Sequence, residues 1–96
     1  MLLVEDDKSI ADSVITSLQL AGLEVHHVMT GAEAITAATE ISPDVVLMDL
    51  GLPDMDGLDA SKTIRETSAV PIIIVSARGD ELDLSLIHIS EPTRLL

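Results

Sequence analysis

Four short apolar runs alternate along the chain with stretches whose apolar residues recur at helical spacing. "LLVE", from Leu2, reads as a strand; Asp7 then stands as a helix N-cap, and Ile10, Ala11, Val14, Leu18 and Ala21 make one apolar face that Gly22 can terminate. "EVHHVM" is a second, weaker strand. Thr30 and Glu33 follow at capping-box spacing, with Ala34, Ile35, Ala38 and Ile41 lining a helix that ends before Pro43. "DVVLMD" is a third strand, Gly51 to Asp56 a loop, and a third helix is predicted from about Gly57 to Thr67, with Lys62 and Glu66 one turn apart. "PIIIVSA" closes the series as a fourth strand, with Pro71 at its first position, where proline is tolerated.

Continuously apolar strands separated by amphipathic helices imply a parallel sheet covered on both faces, reached through right-handed crossovers. The fold class is α/β, a flavodoxin-like doubly wound sheet. Sheets of this kind bind ligands at the carboxyl ends of their strands, where strand order reverses. Glu5, Asp6 and Asp7 follow the first strand, Asp49 ends the third and Ser76 ends the fourth. In the flavodoxin-like order strands one, three and four are neighbours, about 4.8 Å apart. Glu5, Asp6 and Asp49 are therefore expected in one pocket, with Ser76 on its rim.

Two carboxylates about 5 Å apart repel by roughly 3 kcal/mol at an effective dielectric near 20, so the pocket calls for a cation. Oxygen ligands without His or Cys favour Mg²⁺ over zinc. A carboxylate beside Mg²⁺ can attack phosphorus and form an aspartyl phosphate, with the Ser76 hydroxyl donating to a phosphoryl oxygen. Taken singly, each residue has a plainer reading. Glu5, Asp6 and Asp7 could be a solvated helix start, Asp49 a strand cap, and Ser76 a backbone hydrogen-bonding serine. It is their joint position at strand ends that makes a site.

Composition narrows the function. The chain has 96 residues, enough for one small domain, and 47% of them are apolar. Five Lys and Arg against seventeen Asp and Glu give a formal charge of −12, which disfavours direct binding to nucleic acid or an anionic membrane. With no Cys, disulfides and thiolate metal sites are excluded, and neither a signal peptide nor a membrane-spanning run is legible; a cytoplasmic setting is expected. Phe, Tyr and Trp are absent altogether. His26 and His27 fall on the weak second strand and read as edge-strand surface. Met48 and Met55 read as packing and loop residues, while Asp54 and Asp56 are expected to serve the turn and the cap of the third helix.

"LLVEDD", "VVLMDLGLPDMDG" and "VPIIIVSAR" resemble, in order and spacing, the receiver domain of bacterial two-component response regulators, most closely the subfamily whose output is a winged-helix transcription factor. The likeness covers about Leu2 to Asp83. It implies the strand order 2-1-3-4-5 and a phosphorelay role in which Asp49 accepts a phosphoryl group from a sensor histidine kinase. It further implies Mg²⁺ held by Glu5, Asp6, Asp49 and the Gly51 backbone carbonyl, with Ser76 as the switch hydroxyl. On this reading the domain is a phosphorylation switch rather than an enzyme. The alternatives are a Mg²⁺-dependent phosphohydrolase with an aspartyl nucleophile, which usually carries a second acid where Gly51 stands, and a non-phosphorylatable receiver-like interaction domain.

The resemblance stops short of the family's C-terminal part. No fifth strand ending in Lys-Pro and no fifth helix is recognisable, and Lys8 and Lys62, the two lysines, both fall on helices, so no catalytic lysine is assigned. The subfamily's dimerisation surface lies in that part, as do its switch aromatics. "LSLIHISEPTR", Leu84 to Arg94, resembles the translation of a transposase adapter used for sequencing libraries. Residues 1–83 are accordingly read as an incomplete receiver and 84–96 as a non-native tail. A bare fourth strand would leave an apolar edge, and an unstable or aggregating chain is the expectation.

Overall fold

The computed structural model describes residues 1–76 and 85–89, with side chains as far as Ile74. Strand β1 (Leu2–Val4) leads to helix α1 (Lys8–Leu20), β2 (His26–Val28), α2 (Gly31–Glu40), β3 (Val46–Asp49), α3 (Gly57–Arg65), β4 (Ile72–Ser76) and β5 (Ser85–Ile89). The sheet order is β2-β1-β3-β4-β5, and β1 to β4 are mutually parallel. This is the doubly wound α/β arrangement expected from the sequence.

Local chemistry sets the helix limits. The Asp7 carboxylate accepts from the Ile10 N–H at 3.1 Å, and the Thr30 hydroxyl accepts from Glu33 N–H at 3.1 Å. Glu33 reaches back to the Met29 N–H at 3.1 Å, completing a variant of the capping box one residue earlier than usual. At the end of α1, Leu23 N–H donates to the Leu18 carbonyl and Gly22 N–H to that of Gln19. These two bonds form a Schellman motif, and Gly22 takes the left-handed conformation it requires (φ 88°).

The main core lies between one face of the sheet and the pair α2 and α3. Leu2, Val4, Val28, Val46, Met48, Ile72 and Ile74 from the strands meet Ala34, Ala38, Ala60 and Ile64 from the helices. Small alanines on α2 let it come close to β1. Leu3 and Ala11 are buried outside this cluster, on the opposite face, which carries α1.

The expectation that β4 is left as a bare apolar edge is corrected. Its outer edge pairs antiparallel with β5, in register from Ile72↔Ile89 to Ser76↔Ser85. The physical reason is the length of the connection: a parallel return needs a crossover of roughly a dozen residues or more, whereas residues 77–84 suffice for an antiparallel one. β5 therefore differs from the parallel fifth strand of the receiver order. The segments 77–84 and 90–96, including Arg78, Asp83 and Arg94, lie outside the described residues.

Candidate functional site

β1 and β3 run side by side with Val4 opposite Met48, so the residues that follow each strand emerge at the same end of the sheet. One carboxylate oxygen from each of Glu5, Asp6 and Asp49 lies within 4.8 Å of the others. The three acids that the sequence places at strand ends thus converge. Glu5 is only 8% exposed. Burial, assisted by the negative charges of Asp49 and Asp6 and opposed by a hydrogen bond from the Asp7 N–H (3.1 Å), pushes its carboxyl up to about 7. The Asp49 carboxyl is also raised, again by burial first and then by the charge of Asp6, against the lowering pull of the Gly51 and Leu50 N–H groups.

The loop after β3 is closed tightly over this end. Gly51 and Asp56 form an isolated antiparallel bridge, and Gly57 N–H donates to the Leu50 carbonyl at 2.9 Å. Gly57 is buried, and a Cβ there would collide with the Asp49 carbonyl, so only glycine fits. A Cβ at Gly51 would meet nothing within 4 Å. The Gly51 backbone reaches the site through its N–H, which bonds the Asp49 carboxyl.

Asp56 caps α3, accepting from the Leu58 N–H at 2.8 Å. Asp54 reaches further than the sequence suggests. Besides the backbone N–H groups of its own turn, its two carboxylate oxygens accept from Gly31 N–H (2.8 Å) and Ala32 N–H (2.9 Å) at the start of α2, and not from α3. Those two bonds hold its carboxyl below the usual range. Met55 packs against the core and fills the space beside Gly31, where a Cβ would strike it. The loop that carries the site is thus pinned to a second helix.

His27 also departs from the surface role expected of it. Its Nε2 lies 2.8 Å from the Glu5 carbonyl, and since a carbonyl only accepts, the ring nitrogen carries the proton. His26, by contrast, is exposed. Sequence inspection misses both Asp54 and His27 because each partner lies more than twenty positions away; a polar residue within the weak strand was the available hint.

Ser76 ends β4, one residue beyond Val75, which is in register with Asp49; of Ser76 only the backbone is described. Lys8 opens α1 and Lys62 stands in the last turn of α3, both exposed. No described helix is long and apolar enough to cross a membrane.

A doubly wound sheet with three acids converging at the carboxyl ends of its first and third strands defines an acidic-centred α/β module. The family model for the response regulator receiver domain matches residues 1–87, and the chain belongs to that family. It is 38% identical over 86 residues to the DNA-binding response regulator MtrA of Mycolicibacterium smegmatis, an alignment covering 90% of this chain and 38% of that protein. To the transcriptional regulatory protein KdpE of Mycobacterium tuberculosis it is 41% identical over 83 residues, covering 86% and 37%. The chain thus spans less than half the length of the curated relatives it matches. Among solved structures, Vibrio cholerae chemotaxis protein CheY4 superposes with a TM-score of 0.75 at 33% identity, covering 82% of this chain and 68% of that one.

Proposed function

We propose that the chain is a phosphoacceptor module in which Asp49 receives a phosphoryl group from the phosphohistidine of a sensor histidine kinase. The observation that carries this reading is the convergence of Glu5, Asp6 and Asp49, with Glu5 raised to about 7. Three carboxylates so close, one of them buried, are poorly satisfied without a cation. Their all-oxygen donor set and open side fit Mg²⁺, with the Gly51 carbonyl as a further ligand. Bound there, Mg²⁺ would supply charge neutralisation for the transferring phosphoryl group.

Asp49 supplies the nucleophile. Its oxygen forms the new bond to phosphorus as the phosphorus–nitrogen bond to the donor imidazole breaks, and the closed loop over β3 holds it in place. The Ser76 hydroxyl is assigned the role of meeting the phosphoryl group, as in the family to which the chain belongs. Receiver modules of this type work as switches in the cytoplasm, and the names of MtrA and KdpE make a DNA-binding transcriptional output the natural partner domain. The division into a receiver over 1–83 and a non-native tail over 84–96 is part of the same proposal; the gene recovered from intact genomic DNA tests it, and a tail encoded there rejects it.

The test of function is incubation with Mg²⁺ and a small phosphodonor. Acid-stable, base-labile phosphate that is lost in Asp49→Ala is the expected result. No incorporation into the wild type rejects the reading, and catalytic turnover of free phosphoesters favours the phosphohydrolase instead.

A further inference from the structure

β1 ends at Val4, so the backbone of Glu5 has left the β1–β3 ladder just where the first two acids begin. Both polar groups of that residue's backbone are nevertheless engaged, and both by β2. Glu5 N–H donates to the Val28 carbonyl at 3.1 Å, and the Glu5 carbonyl accepts from His27 Nε2 at 2.8 Å. The second bond fixes the peptide plane between Glu5 and Asp6. Without that bond the plane can turn, and with it the ψ of Glu5 and the φ of Asp6, which set where the two carboxylates lie relative to Asp49. Val28 alone cannot prevent this, because its bond lies on the far side of the Glu5 Cα.

We propose that His27 is a positioning residue for the acidic centre, holding the Glu5–Asp6 peptide so that both carboxylates face Asp49 and a divalent cation. It touches neither the cation nor the phosphoryl donor; it acts through a backbone carbonyl, as outer residues of metal sites commonly do. His27 is paired in register with Leu3, on the sheet face opposite the α2–α3 core, and it is half-buried. The partial burial strengthens the bond by keeping water from competing for the carbonyl. The inference rests on the reading of Glu5, Asp6 and Asp49 as a Mg²⁺ site.

The test is the affinity for Mg²⁺ alone, measured by calorimetry near pH 8 on the full chain and three variants. His27→Ala should weaken binding roughly tenfold, the lower end of what outer-residue changes cost metal sites. His27→Gln restores an N–H donor at similar reach and should stay within about twofold, as should His26→Ala on the exposed neighbour. Unchanged affinity in His27→Ala, or His27→Gln as weak as His27→Ala, overturns the inference while leaving the acceptor reading standing. A wild-type chain that binds no Mg²⁺ overturns both. Should His27→Ala fail to fold, the ring nitrogen spectrum of the wild type decides: a neutral ring protonated at Nε2 is expected, and a ring protonated at Nδ1 contradicts the bond.

Discussion

On the sheet face that carries α2 and α3, Leu2, Val4, Val46, Ile72 and Ile74 are wholly buried, and the loop after β3 is tied down through Asp54, Met55 and Gly57. On the face that carries α1, that helix buries Ala11 while Ile10, Val14 and Leu18 stay half-exposed among the described residues. The acids of the site divide between these two regimes. Asp49 inherits its position from a packed core. Glu5 and Asp6, which lead into α1, take theirs from hydrogen bonds to β2 and to the Asp7 N–H. Packing resists displacement in every direction, whereas a hydrogen bond resists only along its own axis, so the backbone under Glu5 and Asp6 is held more directionally than that under Asp49, although the Glu5 side chain is itself buried.

The contrast is broken most severely by emptying the packed face. Ile74→Ala is expected to cost about 2–5 kcal/mol in denaturant unfolding, and Leu18→Ala, on the α1 face, about 1 kcal/mol; equal costs would erase the distinction between the faces. Gly57→Ala comes next. Its Cβ must displace the Asp49 carbonyl, so a loss of about 1–3 kcal/mol should accompany weaker Mg²⁺ binding, while Gly51→Ala, with open space around it, should change neither.

Acidity acts on Glu5 and Asp49 alike. Glu5 is raised in the fold to about 7, so between its ordinary value and about 7 the folded chain binds more protons than the unfolded one. Cation-free stability should therefore fall as pH rises through about 7, and Mg²⁺ binding should strengthen over the same interval as Glu5 loses its proton. Asp49, also raised, acts in the same direction beside Asp6. Glu5→Gln should flatten the stability profile, as thermal melts across pH would reveal. The smallest effect is expected from Asp54→Ala, which removes two bonds to the start of α2: a melting temperature lower by a few degrees, and a loss of any dependence of the melt on Asp54 ionisation. Asp54 is lowered, so its contribution is present above its ordinary value and fades as pH falls.

Much of this molecule is legible in its sequence because its strongest signals are local. The runs at Leu2, Val45 and Ile72 announce buried strands, Asp7 and Thr30 announce helix starts, and acids directly after apolar strands announce where a doubly wound sheet can bind. What escaped depends on register and tertiary placement. His27 serves Glu5 only because β2 lies beside β1, and Asp54 serves α2 only because the β3–α3 loop folds back over it. The pairing of Ser85–Ile89 with β4 is likewise a matter of which edge is available, and no periodicity within "SLIHI" names that partner.

Every role proposed for the site depends on Asp49 as the acceptor. Peptide mass spectrometry after treatment with phosphoramidate and Mg²⁺ locates the phosphoryl group directly. Phosphate on Asp49, lost when the metal is chelated, is the predicted result; phosphate on any other residue, or labelling of Asp49 that is indifferent to Mg²⁺, would contradict it.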